Sequence, residues 1–137
     1  MMNEAETVAR RWFEEVWNQG QEHVIDELMA DDAVFHGLGD EPIRGPGAFR
    51  PFYHQFRTAF PDIRIVVAQV INEGDTSVLR CDVTATHSGP GITDRVTGNP
   101  VRFGGICIAR AKNGKLVEGW NHFDFLSVYQ QVGMRLV

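Results

Sequence analysis

Apolar positions near the start of the chain recur at helical spacing: Val8, Ala9, Trp12, Phe13, Val16 and Trp17 fall three and four apart. This pattern predicts an amphipathic helix over residues 3–18, opened by a capping box of Asn3 and Glu6 and stopped at Gln19-Gly20. Val24, Ile25, Leu28 and Met29 predict a second, shorter helix over 21–30. AVFHG then reads as a brief strand and GLGDEPIRGPG as a loop. Phe52, Tyr53, Phe56 and Phe60 predict a third helix over about 50–60. Pro51 is placed in its first turn, because a proline deeper in a helix costs about 3 kcal/mol.

Beyond Phe60-Pro61 the period changes from helical to alternating. IRIVVAQVI and SVLRCDVTATH flank the turn NEGD. VRFGGICIARA and KLVEGWNHFDF flank KNGK, whose Asn-Gly pair is a hairpin signal. The loop SGPGITDRVTGNP separates the two pairs, and an amphipathic tail, LSVYQQV, ends at Gly133. Helices followed by long antiparallel strands define an α+β class.

Length and composition narrow the picture. A chain of 137 residues fits one domain, 1–137, with room for a real core. A net charge of −5, without any Lys/Arg block, argues against a nucleic-acid partner. Cys81 and Cys107 lie in apolar runs and read as small core residues of a reducing compartment, not as a disulfide or zinc set. The N-terminal stretch MMNEAETVARRWF lacks an apolar signal core, and no run reaches membrane-spanning length. The expectation is a cytoplasmic protein with no membrane partner.

The chemistry concentrates in EGWNHFDF. As a strand it sets Trp120, His122 and Asp124 on one face and Asn121, Phe123 and Phe125 on the other. A metal site would need a second histidine; none follows Asp124, and His36 or His87 would serve only where the fold brings them close, so no metal is expected. An acid–base site is the second reading: a carboxyl enclosed by apolar side chains rises in pKa and can take a proton from carbon, with His122 as hydrogen-bonding support. An ordinary half-solvated strand would carry the same residues. Other positions share that ambiguity. His36 ends the first strand, at a pocket mouth or in solvent. Trp17, Tyr53 and Phe56 are core or pocket lining. Arg80 and Asp82 alternate with Thr84 and Thr86, as a solvent-facing strand or a buried ion pair.

The stretch FGGICIARAKNGKLVEGWNHFDFLSVYQQVG resembles the C-terminal signature of the SnoaL-like polyketide cyclases, and WNQGQEHVIDELMADDAVFHG, IRGPGAF, FRTAFPDIRI and VLRCDVTATHSG fall upstream in the family's order. The resemblance implies the nuclear-transport-factor-2-like fold: a cone-shaped α+β barrel with N-terminal helices packed in a strongly curved antiparallel sheet. It implies Asp124 as general acid–base in an aldol-type ring closure, His122 as its support, and Trp120 among the residues that hold a small polyketide-like substrate. It also implies no cofactor and a homodimer. Arg80 and Asp82 resemble the Arg-x-Asp of limonene epoxide hydrolase on the same fold, with Asp124 as the second aspartate, although that position, counted from Trp120, falls on His122.

Overall fold

The structure is a computed structural model that describes residues 3–135. The first helix, α1 (Glu4–Arg11), is capped by Asn3, whose side chain accepts from the N–H groups of Ala5 and Glu6. The reciprocal half of the capping box does not form: the Glu6 carboxylate instead accepts from Arg10 at 2.7 Å and Asn72 at 2.8 Å. The helix continues without a break into a π-helical stretch, Trp12–Asn18. There the Gln19 N–H reaches the Glu14 carbonyl, five residues back, at 2.8 Å. This wider winding brings residues five apart into line, so Trp12 and Trp17 both turn inward together with Phe13 and Val16.

The second helix is shorter than its apolar pattern predicts. It covers Val24–Leu28 (α2), because Met29 and Ala30 already belong to strand β1 (Met29–His36), where Met29 pairs with Leu116. Strand β2 (Ile43–Arg44) folds back on β1. The third helix, α3 (Gly45–Ala59), starts earlier than expected. Pro46 occupies its first turn, and Pro51 lies inside the helix. The carbonyl that Pro51 leaves without its helical donor is that of Gly47, an exposed residue that water can serve.

Four strands follow: β3 (Arg64–Glu73), β4 (Thr76–Thr86), β5 (Pro100–Lys112) and β6 (Lys115–Phe123), closed by helix α4 (Phe125–Gln131). The β5–β6 turn has positive φ at both Asn113 (53°) and Gly114 (78°), the conformation that Asn-Gly tolerates best. The sheet runs β2-β1-β6-β5-β4-β3. The strands from residue 62 onward, β3 to β6, pair antiparallel as predicted, and β1 lies beside β6 and parallel to it. Three register shifts, between Met29 and Val34 in β1, at Ala68 in β3 and at Val117 in β6, bend the sheet around the helices.

One face of this sheet holds the core. Leu79, Cys81, Val83, Cys107, Ala109 and Leu116 point inward against Val8, Trp12, Val16 and Phe49. Both cysteines are free and buried, and burial pushes each thiol up to about 12.

Candidate functional site

Between the helices and the inner face of the sheet the core does not fill completely. A cavity of about 520 Å³, its open mouth included, is lined by aromatic side chains from every layer: Trp12 and Trp17 from the first helix, Phe49, Phe52 and Phe56 from α3, Phe103 from β5 and Phe123 from β6. About 60 Å³ of it can hold the centre of a water molecule, so the space is a narrow slot. The rings meet edge-on or tilted, for example Trp12 with Phe35 at 5.5 Å and Trp17 with Phe52 at 6.2 Å. Of the fifteen lining residues, none is ionisable. Asn121 is the one amide.

Sequence reasoning placed the wrong face of β6 inward. Asn121, Phe123 and Phe125 line the cavity. Trp120, His122 and Asp124 take the opposite side. His122 and Asp124 are exposed, and the expected enclosure of Asp124 is not found. The Asp124 carboxylate accepts from the Ser127 N–H at 3.0 Å and caps α4. The reason is polarity. Between two alternating faces, the one with two phenylalanines gains more from burial than the one with a histidine and a carboxylate.

The outer face explains the remaining polar candidates. Trp120 is half-buried there and stacks on His36, with ring centroids 5.5 Å apart. His36 lies within 2.8 Å of the Glu118 carboxylate, which also accepts from Arg110 at 3.1 Å. These hydrogen bonds, His36 first, hold the Glu118 carboxyl below its usual range. Arg80 and Asp82 are exposed on the same outer face, where Arg80 donates to Gln69 at 3.2 Å. They form neither a buried ion pair nor part of the cavity wall, which removes the basis for a hydrolase triad with Asp124.

The helical aromatics fare differently. Trp17 and Phe56 are buried and line the cavity. Tyr53 is core: its hydroxyl donates to the Val16 carbonyl at 2.9 Å, and burial raises its pKa. Among the described residues, no three side chains of His, Cys, Asp or Glu converge as a metal-holding group. Asn121 was passed over in the sequence because an asparagine among aromatics signals nothing by itself. The alternation that pairs it with Phe123 and Phe125 was the available clue.

A cone of α+β layers around an apolar, aromatic slot defines a small-molecule cavity protein. The sequence pattern of the SnoaL-like polyketide cyclases matches residues 7–132, and the chain belongs to that family. Solved structures agree. A candidate SnoaL-like polyketide cyclase from Jannaschia sp. CCS1 is 23% identical over 97% of this chain and 94% of its own, with a TM-score of 0.84. IdmH, a candidate polyketide cyclase from Streptomyces antibioticus, is 26% identical over 95% of this chain and 99% of its own, with a TM-score of 0.81. An LEH-like epoxide hydrolase from M. tuberculosis shares the fold at 12% identity, covering 94% of this chain and 89% of its own, with a TM-score of 0.71. No curated protein matches the chain. Among the described residues no helix is long and apolar enough to cross a membrane.

Proposed function

We propose that the aromatic slot is the substrate site of a cyclase- or isomerase-type enzyme acting on a flat, apolar, polyketide-like molecule. The observation that carries this reading is the cavity wall itself: aromatic and aliphatic side chains with a single amide, suited to stacking on a planar ring system. Proton transfer falls to Asp124, with His122 two positions before it. Asp124 stands in the chain between two cavity-lining phenylalanines, Phe123 and Phe125. The proposal requires bound substrate to exclude water from this carboxylate, which in the free protein is exposed and accepts from Ser127. The test is Asp124→Asn, which keeps shape and cap. Turnover of an aromatic polyketide ester, followed by absorbance, should be lost while binding, followed by tryptophan fluorescence, persists. Undiminished turnover in this variant would remove Asp124 from the mechanism.

A second reading, ligand binding without turnover, is favoured by the absence of any ionisable group among the lining residues. Native mass spectrometry of a co-purifying aromatic molecule left chemically unchanged would support it.

The protein works as a homodimer in this proposal, through the outer face of the sheet. There Ile71, Val78, Ile108, Trp120 and His36 form one continuous cross-strand row. Ile71 is 60% exposed and Ile106, in the next row, 41%. Arg80 and Asp82 lie to one side of the row and Arg110 with Glu118 to the other, so a two-fold stack buries the apolar row and sets both signs of charge opposite one another.

A further inference from the structure

Among the described residues that line the cavity, one side chain offers a hydrogen-bond acceptor, the amide of Asn121, for the tryptophans that share the wall can only donate. Its orientation is fixed by its neighbour: the Nδ2 group donates to the His36 carbonyl at 3.0 Å, and a carbonyl can only accept, so Oδ1 takes the other branch. Among the described residues nothing donates to Oδ1, the atom is not fully buried, and Asn121 lines the cavity. The close approach that sets this geometry is built into the backbone. Gly37 has φ 88°, and a Cβ there would lie 1.9 Å from the Asn121 carbonyl oxygen, so only glycine lets the end of β1 come near enough for His36 to hold the amide. Asn121 also borders a second, smaller void that shares Trp12, Phe13 and Phe35 with the first, so it lies between the two.

We infer that Asn121 Oδ1 is the specificity-determining contact of this cavity, accepting a hydrogen bond from a neutral hydroxyl at the leading edge of an aromatic ligand. The inference rests on the proposal that the slot binds such molecules, and it names the chemical class: phenols and enols, in preference to hydrocarbons, methyl ethers and phenolate anions. A ligand without a donor leaves the acceptor dry and unpaired. An anion is worse, because it sets oxygen against oxygen where no cation lines the wall.

The experiment compares 1-naphthol, 1-methoxynaphthalene and naphthalene binding to the full chain, read by quenching of the cavity tryptophans. Naphthol should bind about fivefold more tightly than its methyl ether, the range of one hydrogen bond. This preference should disappear in Asn121→Leu, which keeps the volume and loses the acceptor, while naphthalene affinity is kept or improved. Raising the pH through naphthol's own ionisation should weaken its binding to the wild type and leave naphthalene unaffected. Equal binding of naphthol and its ether to the wild type, or a preference that survives in Asn121→Leu, overturns the inference and leaves the cavity reading standing. Should the variant fail to fold, the wild-type comparison and the pH titration decide alone. If none of the three compounds binds, the cavity reading fails and the inference with it.

Discussion

The two faces of β6 are made of similar residues and do different work. Inward, Gly119, Asn121 and Phe123 complete an apolar slot. Outward, Glu118 and Trp120 join an ion-pair and stacking network with His36 and Arg110, and His122 is exposed on the same side. Each face carries an aromatic ring and a polar group, and the neighbouring strands reinforce the difference in polarity between them. Gly105, opposite Phe123, has no Cβ; one placed there would lie 2.4 Å from the Phe123 ring. β5 is shaped to receive that ring. On the outer side the same strand presents Ile106, Ile108 and Arg110 to His122, Trp120 and Glu118 respectively.

Substitutions along β6 test this division. Leu116→Ala, on the inner face and 4% exposed, should cost about 2–5 kcal/mol of unfolding free energy in urea, whereas His122→Ala should move it by less than about 0.5 kcal/mol. Comparable losses at the two positions would mean that the face assignment is wrong. Trp120→Ala acts on the outer face, and its main effect should be on association. Sedimentation should show the dimer weakened by about 2 kcal/mol, with the cavity's affinity for naphthalene unchanged. A monomeric wild type at micromolar concentration would end the dimer proposal.

Asp124 comes next in size. As the α4 cap it should lose about 1 kcal/mol of stability on replacement by alanine and almost nothing on replacement by asparagine, which caps equally well. Matching losses in both variants would point to a role for the charge beyond capping.

The smallest effect is expected at Glu118. Its folded pKa is depressed, so its contribution is present above the ordinary carboxylate pKa and lost as pH falls through the depressed value. Glu118→Gln should therefore lower stability by about 0.5 kcal/mol at neutral pH, as partly exposed ion pairs do. The gap to wild type should close in acid. A gap that stays constant from pH 7 to pH 3 would show that the carboxylate's charge contributes nothing.

Much of the fold could be read from pattern because the relevant physics is local. Helical spacing from Val8 to Trp17, alternation in SVLRCDVTAT and the Asn113-Gly114 turn each fix a nearby backbone conformation, and each is found. The π-helical winding from Trp12 was not legible, since the same apolar spacing suits an α-helix. The start of β1 was missed for another reason: Met29 continues the helical period of Val24 and Leu28, and only its pairing with Leu116 makes it a strand.

The candidate site divides along the same line. Trp17 and Phe56 could be named from sequence as buried helical aromatics, and so could the polar outer face of Arg80 and Asp82. Which face of WNHFDF meets the slot was left to the tertiary structure. In β6 a single extra residue at Val117 changes the register between Leu116 and Glu118, and with a side-chain period of two, one residue exchanges the faces. The sequence by itself determined that the chain would bury an aromatic-rich core between helices and a sheet. Only the folded sheet decided that Asn121, rather than His122 or Asp124, would line the cavity, because that choice rests on contacts between strands far apart in the chain.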